Sequence, residues 1–224
     1  MFRRLFSQLP ESSPPFSLEK VLTDLHNAVS IADYPQVVGI VAEHPNLVNA
    51  IRGNNQVTAL HIACMSFRRN IVDSSQHNLN HEFEMIRIVK FLISANAEVN
   101  TLDKFQRSPL LLAISQSRNL QLIKLLIFEG ARLDSIDDRG NNVLHLAVSG
   151  QKDCLEITRL LVINNQLGLL KTCTNSEGKT AFDLINVKRE IRDRVAVMAL
   201  VNPNYSAPII SDVISPEGYE VEMD

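Results

Sequence analysis

The sequence predicts an all-α solenoid, a stack of about five helix-turn-helix units with short hairpin connections. The first observation is a recurring phrase. It reads "TDLHNA" (Thr23 to Ala28), "TALHIA" (Thr58 to Ala63), "SPLLLA" (Ser108 to Ala113), "NVLHLA" (Asn142 to Ala147) and "TAFDLI" (Thr180 to Ile185). The second is its spacing of 35, 50, 34 and 38 positions, since a fixed period of about 20–50 residues marks a repeat array. The third is that a second apolar stretch follows: "VVGIVAEHPNLVN", "IRIVKFLISANAEVN", "LIKLLIFEGARLD" and "ITRLLVINNQLGLL". In it, Leu122, Ile123, Leu125, Leu126 and Ile127 follow the i, i+3, i+4 pattern of a helix with one wide buried face.

Taken in order, residues 1–16 read as a flexible arm: Pro10, Glu11, Pro14 and Pro15 interrupt "MFRRLFSQLPESSPPF" before the apolar core of a secretory signal can form. The repeat domain covers 17–201, with units near 17–53, 54–103, 104–137 and 138–175 and a cap at 176–201. Ser17 starts the first helix early, because no hairpin phrase precedes that unit. The long spacing places an insertion at 66–84, "SFRRNIVDSSQHNLNHEFE", in the turn between the two helices of the second unit. Such a loop is either neutral surface or a partner contact. In the cap, Lys188, Arg189, Glu190, Arg192, Asp193 and Arg194 supply the polar outer face a terminal repeat needs. Residues 202–224 hold three prolines, five acidic residues and no Lys or Arg, the composition of a disordered acidic tail.

Phrase, period and second-helix pattern together resemble the ankyrin repeat, with its period of about 33 residues and its T-P-L-H-x-A signature. The departures are Leu111 and Asp183 in the histidine slot, proline only at Pro109, and the hairpin glycine only at Gly140 and Gly178. Thr, Ser or Asn at the first position can cap the helix, and Pro fits its first turn, where no N–H is needed. The resemblance implies that His26, His61 and His145 join hydrogen bonds linking helix to neighbouring hairpin. In the third unit Leu111 makes that contact purely apolar.

Composition narrows the function. A net charge of -3 gives no basic field for nucleic acid or an anionic membrane, and no apolar run is long enough to span a bilayer. Cys64, Cys154 and Cys173 form no C-x-x-C pair, which suits a reducing, cytoplasmic compartment. Cys64 reads as a buried core residue and Cys173 as more exposed. No nucleophile-elbow, zincin or phosphate-loop motif is present. His77 and His81 are spaced i, i+4, but no third ligand matches them, so neither metal nor cofactor is expected. The reading is non-enzymatic, monomeric and directed at a protein partner.

The resemblance implies a concave surface built from hairpin tips and the exposed ends of the first helices. The tips are Asn54, Asn55, Gln56 and Val57; Lys104, Phe105, Gln106 and Arg107; Asp138, Arg139 and Asn141; and Ser176, Glu177 and Lys179. The helix ends are Met65 and Ser66, Ser115 and Gln116, Ser149, and Val187 with Lys188. Phe105 stands out, because aromatic and Arg side chains are the usual anchors of interfaces. It either faces a partner beside Arg107 and Arg139 or folds back on its own repeat.

Alternative routes lie in the tail. Asn202, Pro203 and Tyr205 fall in "NPNY", similar to a peptide read by phosphotyrosine-binding domains, and Tyr219 sits among acids. The tail would then make the chain an adaptor or targeting subunit that recruits a catalytic partner or signalling domain. The acidic end is also similar to secretion signals of effectors from intracellular bacteria, which would place the protein in a host cytosol. The phrase equally resembles ankyrin inhibitors that mask transcription factors.

Overall fold

The computed structural model describes residues 18–67, 76–150, 154–163, 169–187, 194–202 and 204, with backbone only at 76–79, 154, 169, 186, 187 and 194. The expectations for the arm 1–16, for Pro203, Tyr205 and Tyr219, for Lys188 and the other cap charges, and for the side chains of His77 and Cys154 lie outside the described residues.

The helices come in pairs. They are α1 (Leu18–Ser30) with α2 (Tyr34–Glu43), α3 (Ala59–Ser66) with α4 (Gln76–Ser94), and α5 (Pro109–Leu112) with α6 (Leu120–Phe128). After these come α7 (Val143–Ser149) with α8 (Cys154–Ile163), and α9 (Ala181–Val187) with α10 (Arg194–Val201). First helices stack on first helices, α1 on α3, α3 on α5 and α7 on α9, while α2 meets α4, α6 meets α8 and α8 meets α10. One continuous apolar core runs between the two layers, through Leu25, Leu60, Leu92, Leu110, Leu122, Leu144 and Leu161. The fold is an all-α repeat solenoid, and its hairpins are marked by the isolated bridges Arg52–Val57 and Ile136–Asn142.

The phrase begins helices for the reason its chemistry suggests. Thr58 Oγ1 accepts from His61 N, Ser108 Oγ from Leu111 N, and Asn142 Oδ1 from both Leu144 N and His145 N. In the last unit Asp183 stands in the histidine slot and closes the reciprocal box itself: its carboxylate accepts from Thr180 N and Oγ1, while its own N donates to Thr180 Oγ1. Pro109 occupies the first turn of α5, where its missing N–H costs nothing. The first unit differs. Because α1 starts at Leu18, Thr23 lies within it and its hydroxyl donates to Glu19 O.

Two further differences concern the helix ends. Residues 76–84 are not part of a turn: α4 runs back to Gln76, 19 residues against 9 in α6. Its Glu82 accepts from Asn119 Nδ2 at the start of α6, and Arg87, clamped on Glu84 at 2.9 Å, lies over the Tyr34 ring of α2. Glu82 thus ties the extension to α6, and Glu84 ties it through Arg87 to α2. The first helix of the third unit ends instead in a π turn, Ala113–Ser117. The left-handed Arg118 after it donates to Ile114 O, Leu146 O and Ala147 O, over the face of Gly150 that a Cβ would fill. One guanidinium thus serves the carbonyl ends of two first helices.

Candidate protein-binding surface

Three of the four hairpin tips are held by one residue whose side chain accepts from its own turn. Asp103 Oδ1 accepts from Phe105 N at 2.8 Å and Arg107 N at 2.9 Å. Asp137 does the same for Arg139 N and Asn141 N, and Asn175 for Glu177 N and Lys179 N. In the first hairpin the corresponding residue is Gly53, which has no side chain to offer. Neighbouring tips are then joined through the backbone, Lys104 N to Asn55 O at 2.9 Å, Asp138 N to Phe105 O at 3.0 Å and Ser176 N to Arg139 O at 2.9 Å. The tips form a single ladder whose geometry is set before any partner arrives, which lowers the ordering cost of binding.

Behind the ladder, histidines fasten helix to hairpin. His61 Nδ1 accepts from Thr58 N at 3.2 Å, leaving the proton on Nε2, which donates to Arg107 O at 3.1 Å in the next hairpin. At His145, Nδ1 lies 2.7 Å from Asn142 Oδ1 and 3.3 Å from Asn142 N, and Nε2 bonds Lys179 O at 2.9 Å. Burial pulls the His61 pKa down, and the bond to Arg107 O partly offsets it. His26 departs from what the resemblance implies: it is 2% exposed, and neither ring nitrogen has a hydrogen-bond partner among the described residues. For Nδ1 the reason is local: the cap N–H that serves it in the other units belongs here to Thr23, which lies inside α1. Leu111 is fully buried, as an apolar contact requires.

A family model described as "Ankyrin repeats (3 copies)" matches residues 79–175. This stretch carries ankyrin repeats. A stretch of 82 residues, 35% of the chain, is 33% identical to transient receptor potential cation channel subfamily A member 1 of Homo sapiens. A stretch of 66 residues, 30% of the chain, is 42% identical to the channel of the same name from Drosophila melanogaster. These matches span 7% and 5% of the two channels' own lengths. Ankyrin repeats are typically non-catalytic protein-binding modules. Among the described residues no helix is long and apolar enough to cross a membrane, and no group of three or more His, Cys, Asp or Glu is arranged to hold a metal. Cys64 is buried and burial pushes its thiol pKa up, whereas Cys173 is exposed.

On the ankyrin ladder the residues singled out by sequence fall into two groups. Asn55, Gln56, Lys104, Asp138, Arg139 and Glu177 are exposed, as is Gln116 on the π turn. Met65 is partly claimed by the core, and Asn141 donates to Asp137 while accepting from Asn175. Lys179 is half-buried and ion-paired with Glu177 at 2.8 Å, which holds that carboxyl below its usual pKa, with Arg139 a lesser cause. Phe105 and Arg107 fold together: the guanidinium grips Asp103 at 2.7 Å and lies 4.8 Å from the centre of the half-buried Phe105 ring. Asp103 is 2% exposed, so Arg107 neutralises a buried charge and is part of the scaffold. Asn202 caps the end of α10, its side chain accepting from Asn204 N.

Sequence reasoning missed Leu102 and Ile136. Each directly precedes a turn-holding Asp in neighbouring hairpins, and each stands in solvent, 41% and 54% exposed. The available signal was an apolar residue one position before an Asx turn, outside the four-residue tips counted back from the phrase.

Proposed function

We propose that the chain binds a protein partner along the hairpin ladder of its second to fourth units, without catalysing a reaction. The observation that carries this is Leu102 and Ile136, exposed at the same register of neighbouring hairpins whose tips are tied together. Two large apolar side chains at one register on a rigid ladder are the kind of centre an interface buries. Lys104, Phe105, Arg139 and Gln116 surround it with polar and aromatic contacts. Asn55, Gln56, Asp138 and Glu177 extend the same surface as a hydrophilic rim.

Changing Leu102 and Ile136 together to Glu tests the reading, because both are exposed and their loss leaves the core intact. Affinity capture with the intact chain and the double variant, read by mass spectrometry, should recover a protein with the first that is missing from the second. Equal recovery of every captured protein by both would remove the proposal. A chain ending at Val201 adds the tail arm: capture that survives it favours the ladder, and capture that needs 202–224 favours the adaptor reading. The five acidic residues of that tail also support a narrower role, an effector acting on a host protein in the host cytosol. A translocation reporter carrying residues 202–224 tests that role directly.

A further inference from the structure

His26 is the buried group that the binding surface does not use. Its ring is 2% exposed, packed where α1 meets α2 and α3, and both nitrogens lack a partner among the described residues. In the neutral ring one N–H is already unsatisfied, and protonation would leave two N–H donors and a charge in the same apolar slot. The surrounding charges oppose it further. The hairpin brings Arg52 and α3 brings His61, both of which push against a positive ring. From α2 come Tyr34 and Glu43, with Asp33 as its cap. Asp33 is engaged with Gln36 N as the cap of α2.

We propose that the joint between the first and second units is acid-operated: protonation of His26 releases α1 and α2 from α3 while the later units stay stacked. Among the described residues the unpartnered ring is confined to that joint. His145 occupies the same slot between α7 and α9 with both nitrogens bonded, and Leu111 and Asp183 cannot become cationic in the other two. His61, whose pKa burial also lowers, keeps its bond to Arg107 O in the next hairpin.

The direction follows from linkage. Burial first, then Arg52 and His61, lower the His26 pKa from 6.5 to about 4 in the fold. The fold therefore has its full share of stability from His26 above pH 6.5, where the ring is neutral folded or released. It loses that share as pH falls from 6.5 towards 4, because the released ring takes the proton first. At pH 4.5 the release equilibrium of the first unit is shifted roughly 70-fold relative to pH 7.5.

Hydrogen exchange of the intact chain between pH 7.5 and 4.5, read by peptide and corrected for intrinsic rates, tests this. Peptides from α1 and α2 should lose roughly 70-fold in protection while those from α7 and α8 change far less. In His26→Leu, and in His26→Gln should the leucine disturb packing, the α1 and α2 peptides should no longer respond. Protection of α1 and α2 that tracks α7 and α8, or that falls equally in both variants, overturns the proposal. An NMR titration of the wild-type ring is independent of the variants: His26 must stay neutral to well below pH 6.5 while α1 is docked, and a ring that protonates near 6.5 without release also overturns it.

Discussion

The joint at His145 and the joint at His26 carry the same residue in the same phrase, yet only one is a fastening. At His145 the helix begins at Asn142, so the cap N–H is free to serve Nδ1, and Lys179 O in the next hairpin takes Nε2. At His26 the helix has already begun at Leu18, and Thr23 gives its hydroxyl to Glu19 O. The histidine's Nδ1 finds the cap N–H only where a helix start leaves that N–H unpaired. A one-turn extension of the terminal helix converts the same residue from a bridge into a buried group without partners.

Replacing each histidine by leucine breaks the comparison most directly. His145→Leu loses the bonds to Asn142 N and Lys179 O in a fully buried site, and should cost about 3 kcal/mol. His26→Leu removes unsatisfied polar atoms and should change stability by about 1 kcal/mol or less at neutral pH. Urea denaturation at pH 7.5 measures both. Equal losses would mean that the bonds contribute nothing beyond the packing of the ring.

The same contrast recurs at the tips and sets the next effect. Asp103 is buried and holds Phe105 N, Arg107 N and the Arg107 guanidinium, whereas the first tip has Gly53 at that place. Asp103→Ala should therefore cost about 2 kcal/mol, and the half-buried Asp137, when changed in the same way, about 1 kcal/mol. If Asp103→Ala unfolded at the same urea concentration as the native chain, the tip would be held by its neighbours through the backbone ladder alone.

How far these features were legible depended on the range of the interaction. Caps, proline and helix pairs were legible because each is a local pattern: Thr58, Ser108 and Asn142 begin helices for reasons visible within four residues. The long α4 was not, because its N-terminal half makes contacts with two other units, Glu82 with Asn119 and Glu84 through Arg87 with Tyr34. His26 was misread for the opposite reason, since the phrase around it looks regular and only the earlier start of α1 removes the cap. Among the candidate contacts, single-residue types identified exposed Lys104 and Arg139, while the pairing of Arg107 with Asp103 drew one expected anchor into the scaffold.

The smallest effect concerns the third residue of each tip, where the backbone must turn left-handed. Gly140 and Gly178 take φ of 72° and 69° there, but Gln56 and Gln106 adopt 54° and 56°, a region that costs a residue with a Cβ about 1 kcal/mol. Gln106→Gly removes that cost and adds freedom to the unfolded chain, so the net gain should be about 0.5 kcal/mol. Gly140→Ala goes the other way and should lose more than about 1 kcal/mol. The added Cβ would meet both a left-handed φ and Ser176 N at 3.2 Å. The two changes, compared by thermal melting in the intact chain, separate backbone strain from close approach. At position 106 only the first acts, so a glycine there that lowers the melting temperature would mean that the Gln106 side chain contributes packing that its exposed position does not suggest.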